Sequence, residues 1–158
     1  MKKFLLLFVL FAFTSVFAQD VQSYIELLKS DVKTGKKEII TKVMAFTAKE
    51  SEAFWPIYNE FENELEKLAN KRLENIKDFA ANYDNMTDKK ADELINSSFK
   101  FLDDRSSLNK KYYKKFASAL TPTVAAKYMQ VEHAIQLILD IGIAANLPLF
   151  EKPGTEQK

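Results

Sequence analysis

The stretch that decides the fold is FTAKESEAFWPIYNEFENELEKLANKR, which runs from Phe46 to Arg72. Its apolar residues recur at steps of three and four, which places them on one face of a helix. Thr47 followed by Glu50 forms a capping-box pattern, so we expect the helix to begin directly after Thr47. Pro56 lies inside the pattern and predicts a kink, because proline removes one helical hydrogen bond. The apolar stripe continues beyond the stretch and comprises Phe54, Tyr58, Phe61, Leu65, Leu68, Ile76 and Phe79.

The rest of the chain is also patterned as helices. Three glycines in 158 residues are too few turn residues for an all-β protein, so we predict an all-α fold with one domain. The short segment Ala81–Asn85 predicts a turn between two long helices, which then pack as an antiparallel hairpin flanked by an N-terminal and a C-terminal helix. A glycine within the first helix, Gly35, predicts either a bend or a break. The four predicted helices run from about Val21 to Met44, from Thr47 to the turn, from Thr87 to about Ala119, and from Thr121 to about Ala145.

The third and fourth helices each carry one predicted core face. The face of the third helix comprises Ala91, Leu94, Ser98, Phe101, Leu102, Leu108, Tyr112 and Phe116. The face of the fourth comprises Val124, Ala125, Tyr128, Val131, Ile135, Ile138, Leu139 and Gly142, with Glu132 at its edge. Arg72 interrupts the stripe of the second helix and Arg105 that of the third. Two interpretations stay open: the arginines pair with Asp or Glu across the hairpin, or they line a concave basic face.

The N-terminus has the layout of a secretory signal peptide. Lys2 and Lys3 precede an apolar run, and Val16-Phe17-Ala18 resembles a cleavage site before Gln19. We therefore predict a signal peptide over residues 1–18, a helical domain over 19–150, a disordered tail over 151–158, and a periplasmic location. The apolar run is shorter than the roughly 20 residues that span a bilayer, which disfavours the rival interpretation of a retained, stable membrane anchor.

Composition and spacing indicate a protein that is not an enzyme. The predicted processed chain carries 21 basic and 22 acidic residues, so no global positive charge favours nucleic acid. The chain has no cysteine and one histidine, His133, whose neighbour Glu132 points to a different helix face. A metal site needs several converging ligands, and a nucleophilic triad needs a positioned histidine. We predict no catalytic residue, no metal and no cofactor.

Two features are candidates for a client or partner surface. The only tryptophan, Trp55, lies off the main stripe, so it packs either within the chain, against a dimer partner, or on an exposed binding surface. A basic cluster with interleaved tyrosines follows in the third helix and is either a solvated helix end or a binding surface. With Arg72, the predicted surface comprises Trp55, Lys110, Lys111, Lys114 and Lys115.

Three helix starts share one form, an apolar residue followed by threonine: Phe46-Thr47, Met86-Thr87 and Leu120-Thr121. With the export signal, these starts resemble the Leu-Thr-x-x-Gln motifs of the Spy/CpxP-like family of periplasmic envelope-stress proteins. In this chain Phe46 and Met86 replace the leucine of the motif, and Glu50, Lys90 and Val124 replace its glutamine. Nearly the whole processed chain is similar to small helical Bacteroidetes-type members grouped with that family. The matching residues are Phe46-Thr47, Glu50, Ala53–Tyr58, Lys111–Phe116, Leu120–Pro122, Ala125–Tyr128, Gln130–Glu132 and Leu147–Leu149.

The resemblance implies a function as well as a fold. Spy-like proteins are cradle-shaped helical homodimers that hold unfolded clients without ATP on a mixed basic and apolar face. CpxP-like relatives restrain a membrane sensor. We therefore expect chaperone-type binding of unfolded or membrane-associated proteins, with a homodimer as the assembly that the resemblance implies. The alternatives are a regulatory subunit of a membrane stress sensor and a purely structural envelope protein.

Overall fold

The structure, a computed structural model, describes residues 35–150, and all regular structure in this range is helical. Helix α1 covers residues 35–44, α2 covers Ala48–Asn82, α3 covers Asp88–Ala119 and α4 covers Pro122–Ala144. A short 3-10 turn, Tyr83–Asn85, joins α2 to α3. The all-α prediction is confirmed for this range. The predicted signal peptide, the start of the first helix at Val21 and the predicted tail lie outside the described residues.

The helix starts are confirmed, and they share one capping geometry. The hydroxyl oxygens of Thr47, Thr87 and Thr121 each accept a hydrogen bond from the backbone N–H three residues later, at 3.2 to 3.3 Å. Only the first start has the full capping box, in which the Glu50 carboxylate accepts from the Thr47 N–H at 2.9 Å. This hydrogen bond is the main reason why the pKa of Glu50 lies below its ordinary value. Helix α2 then runs without a break through Pro56.

Helices α2 and α3 form the predicted antiparallel hairpin, and α4 packs back along it. At 35 and 32 residues, these two helices are each about 50 Å long. Asn75 on α2 donates to the Leu94 carbonyl and the Ser98 hydroxyl on α3, which joins the helices near the turn. Helix α1 packs where α2 begins and α4 begins, and Lys127 of α4 donates to the Met44 carbonyl of α1.

The core consists of two apolar clusters. The larger cluster lies at the end of the hairpin away from the turn, and Phe54, Tyr58, Phe116 and Tyr128 stack or meet edge to face within it. Leu73 and Ile76 form the smaller cluster nearer the turn, with Ile143 and Leu147 packed against them. Five of the seven predicted stripe residues of α2, but only three of the eight of α3, are buried in one or the other cluster.

Two of the predicted core positions are exposed. Leu102 of α3 is 48% exposed and Ile138 of α4 is 71% exposed, although both fall on apolar faces in the sequence. The prediction was wrong because the apolar face of each of these helices is wider than the part of that face that the neighbouring helices cover. Conversely, Glu132, predicted at the edge of its face, is fully buried.

One residue in the connection between α1 and α2, Ala45, has a backbone conformation that is unfavourable for alanine. Ala45 has φ 48°, in the left-handed region, where a Cβ crowds the backbone. The Ala45 N–H donates to the Thr41 carbonyl at 3.2 Å. Ala45 therefore follows the last residue of α1, at a position where many helices have glycine.

We expect Ala45→Gly to raise the free energy of unfolding by about 0.5–1 kcal/mol, because glycine removes the Cβ strain. The matched control is Ala126→Gly, an exposed position inside α4, which should lower the free energy of unfolding by about 1 kcal/mol. Urea denaturation of both variants measures the two changes. A destabilised Ala45→Gly variant would contradict the assigned conformation.

Candidate functional site

A buried cluster of charged and polar side chains joins three helices. The Lys36 ammonium of α1 lies 2.6 Å from the Glu62 carboxylate of α2 and 2.8 Å from the Glu132 carboxylate of α4. Tyr128 and Gln136 also donate hydrogen bonds to Glu132, at 3.2 and 2.9 Å. Lys36 and Glu132 are almost fully buried. Because each buried charge has an opposite charge and further hydrogen bonds, the cluster orients α1 on the rest of the fold.

The same cluster perturbs two tyrosines. Burial, and then the nearby Glu132 and Glu62 carboxylates, raise the pKa of Tyr128 far above its usual range. Burial, followed by the Glu62 and Glu132 carboxylates, likewise raises the pKa of Tyr58. Both hydroxyls therefore stay protonated, and Tyr128 acts as a hydrogen-bond donor. A neutral donor beside a paired carboxylate is suited to structural support.

Between the two apolar clusters lies a second charged group, formed by Arg72, Arg105 and Asp140. Arg72 donates to one oxygen of Asp140, and Arg105 donates to both, at 2.9 and 3.1 Å. Both guanidinium groups lie over the ring of Phe101, with 5.0 and 5.1 Å between each central carbon and the ring centroid. The arginines therefore pair with an acidic residue, as one interpretation predicted. Their partner lies on α4 and not on the opposite arm of the hairpin.

A groove of about 680 Å³ opens beside this charged group, between α2 and α3. Its lining combines the side chains of Leu68, Phe101, Leu102 and Leu147 with Arg72 and several other charged residues. The groove lies where the two helices are not held together by a continuous apolar core. It is an open, mixed surface, and in the described range no three His, Cys, Asp or Glu side chains are grouped to hold a metal ion.

The predicted basic cluster on α3 divides into two pairs. Lys111 lies 2.7 Å from the Glu64 carboxylate and Lys115 lies 2.6 Å from Glu60, both on α2. The hydrogen bonds from Lys111 and Tyr112 lower the pKa of Glu64. Lys110 and Lys114 are exposed, and no carboxylate between residues 35 and 150 lies within ion-pair distance of either. Half of the cluster therefore holds the hairpin together, and half faces solvent.

Trp55 lies at the contact between α1 and α2. Its ring meets Phe54 and Tyr58 edge to face, its indole N–H donates to the Ser51 hydroxyl at 3.0 Å, and the Lys37 ammonium lies 6.0 Å from the ring centroid. The side chain is partly buried. Packing within the chain accounts for these contacts, and a role of the exposed part in binding stays a prediction.

An exposed apolar stripe runs along α3, and it does not belong to the client or partner surface predicted from the sequence. We call Ile95, Phe99 and Leu102 the α3 stripe; they are 40%, 56% and 48% exposed. Their spacing of four and three residues puts them on one side of the helix, next to the buried face. Lys110 follows two turns later on the same helix. The signal was present in the spacing, but periodicity cannot distinguish a covered face from an uncovered one.

The helices over residues 35–150 contain no segment that is long and apolar enough to cross a membrane. Comparison with known proteins finds no family description, no curated protein and no solved structure that matches this chain.

Proposed function

We propose that the protein is an exported, non-enzymatic binding protein that holds unfolded protein clients, as its resemblance to Spy/CpxP-like proteins implies. The observation that supports this proposal most is the α3 stripe with Lys110 and Lys114 on the same helix. An unfolded chain exposes apolar and acidic side chains, and a mixed apolar and basic surface attracts both. Because the three apolar side chains are only about half exposed, each contact is weak, and clients are released without ATP.

The proposed client surface differs in part from the one predicted from sequence. It keeps Lys110 and Lys114 and adds the α3 stripe. Lys111 and Lys115 make ion pairs within the chain, so their positive charge is already largely balanced, and Arg72 shares the carboxylate of Asp140 with Arg105. The helix-start residues, including Thr47, Thr87 and Thr121, set the ends of the helices that carry the surface.

We expect the purified protein to suppress light scattering by an aggregating model client at roughly stoichiometric amounts. The double substitution Phe99→Ser and Leu102→Ser should weaken suppression at least about fivefold, since it removes the centre of the apolar surface. Leu149→Ser is the matched control, because Leu149 is an apolar residue outside α3 that is 85% exposed. Unchanged suppression by the double variant, or no suppression by the unmodified protein, would contradict the proposal.

A companion experiment separates this function from that of a regulator. Affinity capture from envelope extract should recover many unfolded proteins if the protein holds clients. Recovery of one defined membrane protein would instead support a regulatory subunit of a stress sensor. The mass of the exported protein tests the location: we expect a chain that begins at Gln19.

A further inference from the structure

The groove between α2 and α3 holds a positive charge that the chain balances only in part. Arg72 and Arg105 share one carboxylate, that of Asp140, so two positive groups face one negative group. The hydrogen bonds to Asp140 use only the Nη1 atom of each arginine, although a guanidinium has five N–H donors. Among residues 35–150, no other carboxylate lies within ion-pair distance of either arginine. Because Arg72 lines the groove, an acceptor placed there can bond to the donors that Asp140 leaves unused.

The other charges of the groove do not offset this surplus. Each of its three acidic lining residues already has a lysine within 3.1 to 3.2 Å; the pairs are Glu74–Lys77, Asp78–Lys90 and Asp104–Lys100. Lys71 also lines the groove, and the described part of the chain places no carboxylate within ion-pair distance of its ammonium. The groove therefore attracts an anion beside Arg72.

Apolar side chains border the same charge. The Arg72 and Arg105 guanidinium groups lie over the ring of Phe101, and the next residue, Leu102, is 48% exposed at the groove. Ile76 lies one helical turn beyond Arg72, and its apolar cluster continues to Leu147. The groove volume of about 680 Å³ lies within the roughly 300–1,000 Å³ of small-molecule sites. The groove therefore suits a ligand that joins an anionic group to an apolar part.

Two polar side chains at the groove are already occupied within the chain. The Asn75 amide nitrogen donates to the Leu94 carbonyl and the Ser98 hydroxyl, and that hydroxyl donates to the same carbonyl. A polypeptide in the groove would bring a backbone N–H and C=O with each residue and find few partners for them. A hydrocarbon chain has no such groups. The lining therefore favours a small amphiphile over an unfolded protein segment.

We propose that this groove binds a fatty acid. The carboxylate accepts charge-assisted hydrogen bonds from Arg72, with Lys71 nearby, and the hydrocarbon tail lies along Ile76, Leu102 and Leu147. The site goes beyond the proposed client surface, with which it shares only Leu102. Because the groove is open and covers one side of the tail, we expect a moderate Kd of about 10–300 μM.

Isothermal titration calorimetry of the purified protein with dodecanoate, below the concentration at which it forms micelles, tests the proposal. We expect one dodecanoate per chain. Dodecyltrimethylammonium has the same tail with the opposite charge and should bind at least about tenfold more weakly, while acetate at about 1 mM should not bind, since it lacks the tail. Equal binding of the two amphiphiles, or no binding of dodecanoate, overturns the proposal.

Two variants locate the bound molecule. Arg72→Gln removes the anion-binding group and should weaken dodecanoate binding at least about tenfold, whereas Lys67→Gln, an exposed position on α2 outside the groove, should not. Ser97→Trp fills the groove without changing its charge and should cause a similar loss, with the exposed Ser107→Trp on α3 as its control. Circular dichroism should show unchanged helix content in all four. Full binding by either Arg72→Gln or Ser97→Trp overturns the proposal.

The two proposals fail independently. Phe99 does not line the groove, so Phe99→Ser should weaken suppression of client aggregation and leave dodecanoate binding unchanged. Ser97→Trp should do the reverse. Displacement of dodecanoate by an unfolded client would show that the groove belongs to the client surface, which overturns its assignment to a fatty acid.

Discussion

Replacing Lys36 with methionine is expected to lower the free energy of unfolding by about 3–5 kcal/mol. Methionine keeps the unbranched apolar stem but removes the ammonium that lies 2.8 Å from the buried Glu132 carboxylate. Glu132 is 1% exposed, so water cannot replace the lost partner. A buried charge left without its counter-ion costs far more than the pair contributed when both partners were present.

Chemical denaturation of Lys36→Met, followed by circular dichroism, measures the change. Lys42→Met is the matched control, since Lys42 is exposed on the same helix and should change stability by less than about 0.5 kcal/mol. The double variant Lys36→Met and Glu132→Gln should recover at least half of the loss, because the buried charge is removed with its partner. A cost below about 1 kcal/mol for Lys36→Met would show that the ion pair does not dock α1.

Replacing Phe54 with alanine is expected to cost about 3–5 kcal/mol, which is the range for removing a buried aromatic ring. Phe54 is fully buried, and its ring contacts those of five other aromatic residues with centroid distances of 4.5 to 5.6 Å. These neighbours belong to α2, α3, α4 and the segment before α2, so they cannot all move to fill the cavity. The loss therefore includes both the transfer free energy of the ring and a large part of the cavity term.

Phe99→Ala is the matched control, because Phe99 is 56% exposed and should change stability by less than about 0.5 kcal/mol. The only tryptophan gives a local probe of the same region, since the Trp55 ring lies 5.1 Å from that of Phe54. Tryptophan fluorescence and far-ultraviolet circular dichroism should report one coincident unfolding transition in the unmodified protein. Similar costs for Phe54→Ala and Phe99→Ala would contradict the described core.

Much of the fold followed from local signals. The threonine caps predicted the starts of α2, α3 and α4, because a cap depends on hydrogen bonds between residues three apart in the chain. The antiparallel hairpin followed from two long helical patterns and one short turn. The aromatic stripe of α2 and most of the buried face of α3 followed from their spacing. Each of these signals lies within one helix or one turn.

The parts of the candidate site that escaped prediction depend on contacts between distant segments. Glu132 was predicted at the edge of its helix face, because nothing near it in sequence reveals that Lys36, 96 positions earlier, reaches it. One of the two interpretations of Arg72 and Arg105 placed their partners across the hairpin, yet both arginines pair with Asp140 of α4. The four lysines of the basic cluster were predicted as one surface, but only Lys111 and Lys115 form ion pairs with carboxylates on α2.

The sequence by itself determined α2, α3 and α4, their ends and the hairpin, since capping and turn formation are local and helical period fixes which residues share a face. The tertiary structure alone decided which of those faces are covered, which charges are paired, and which surface remains for a partner. Leu102 and Ile138 show the difference: both belong to apolar faces, yet both are exposed. The physical reason is that periodicity records the side of a helix on which a residue lies, whereas burial depends on whether another segment is there to cover it.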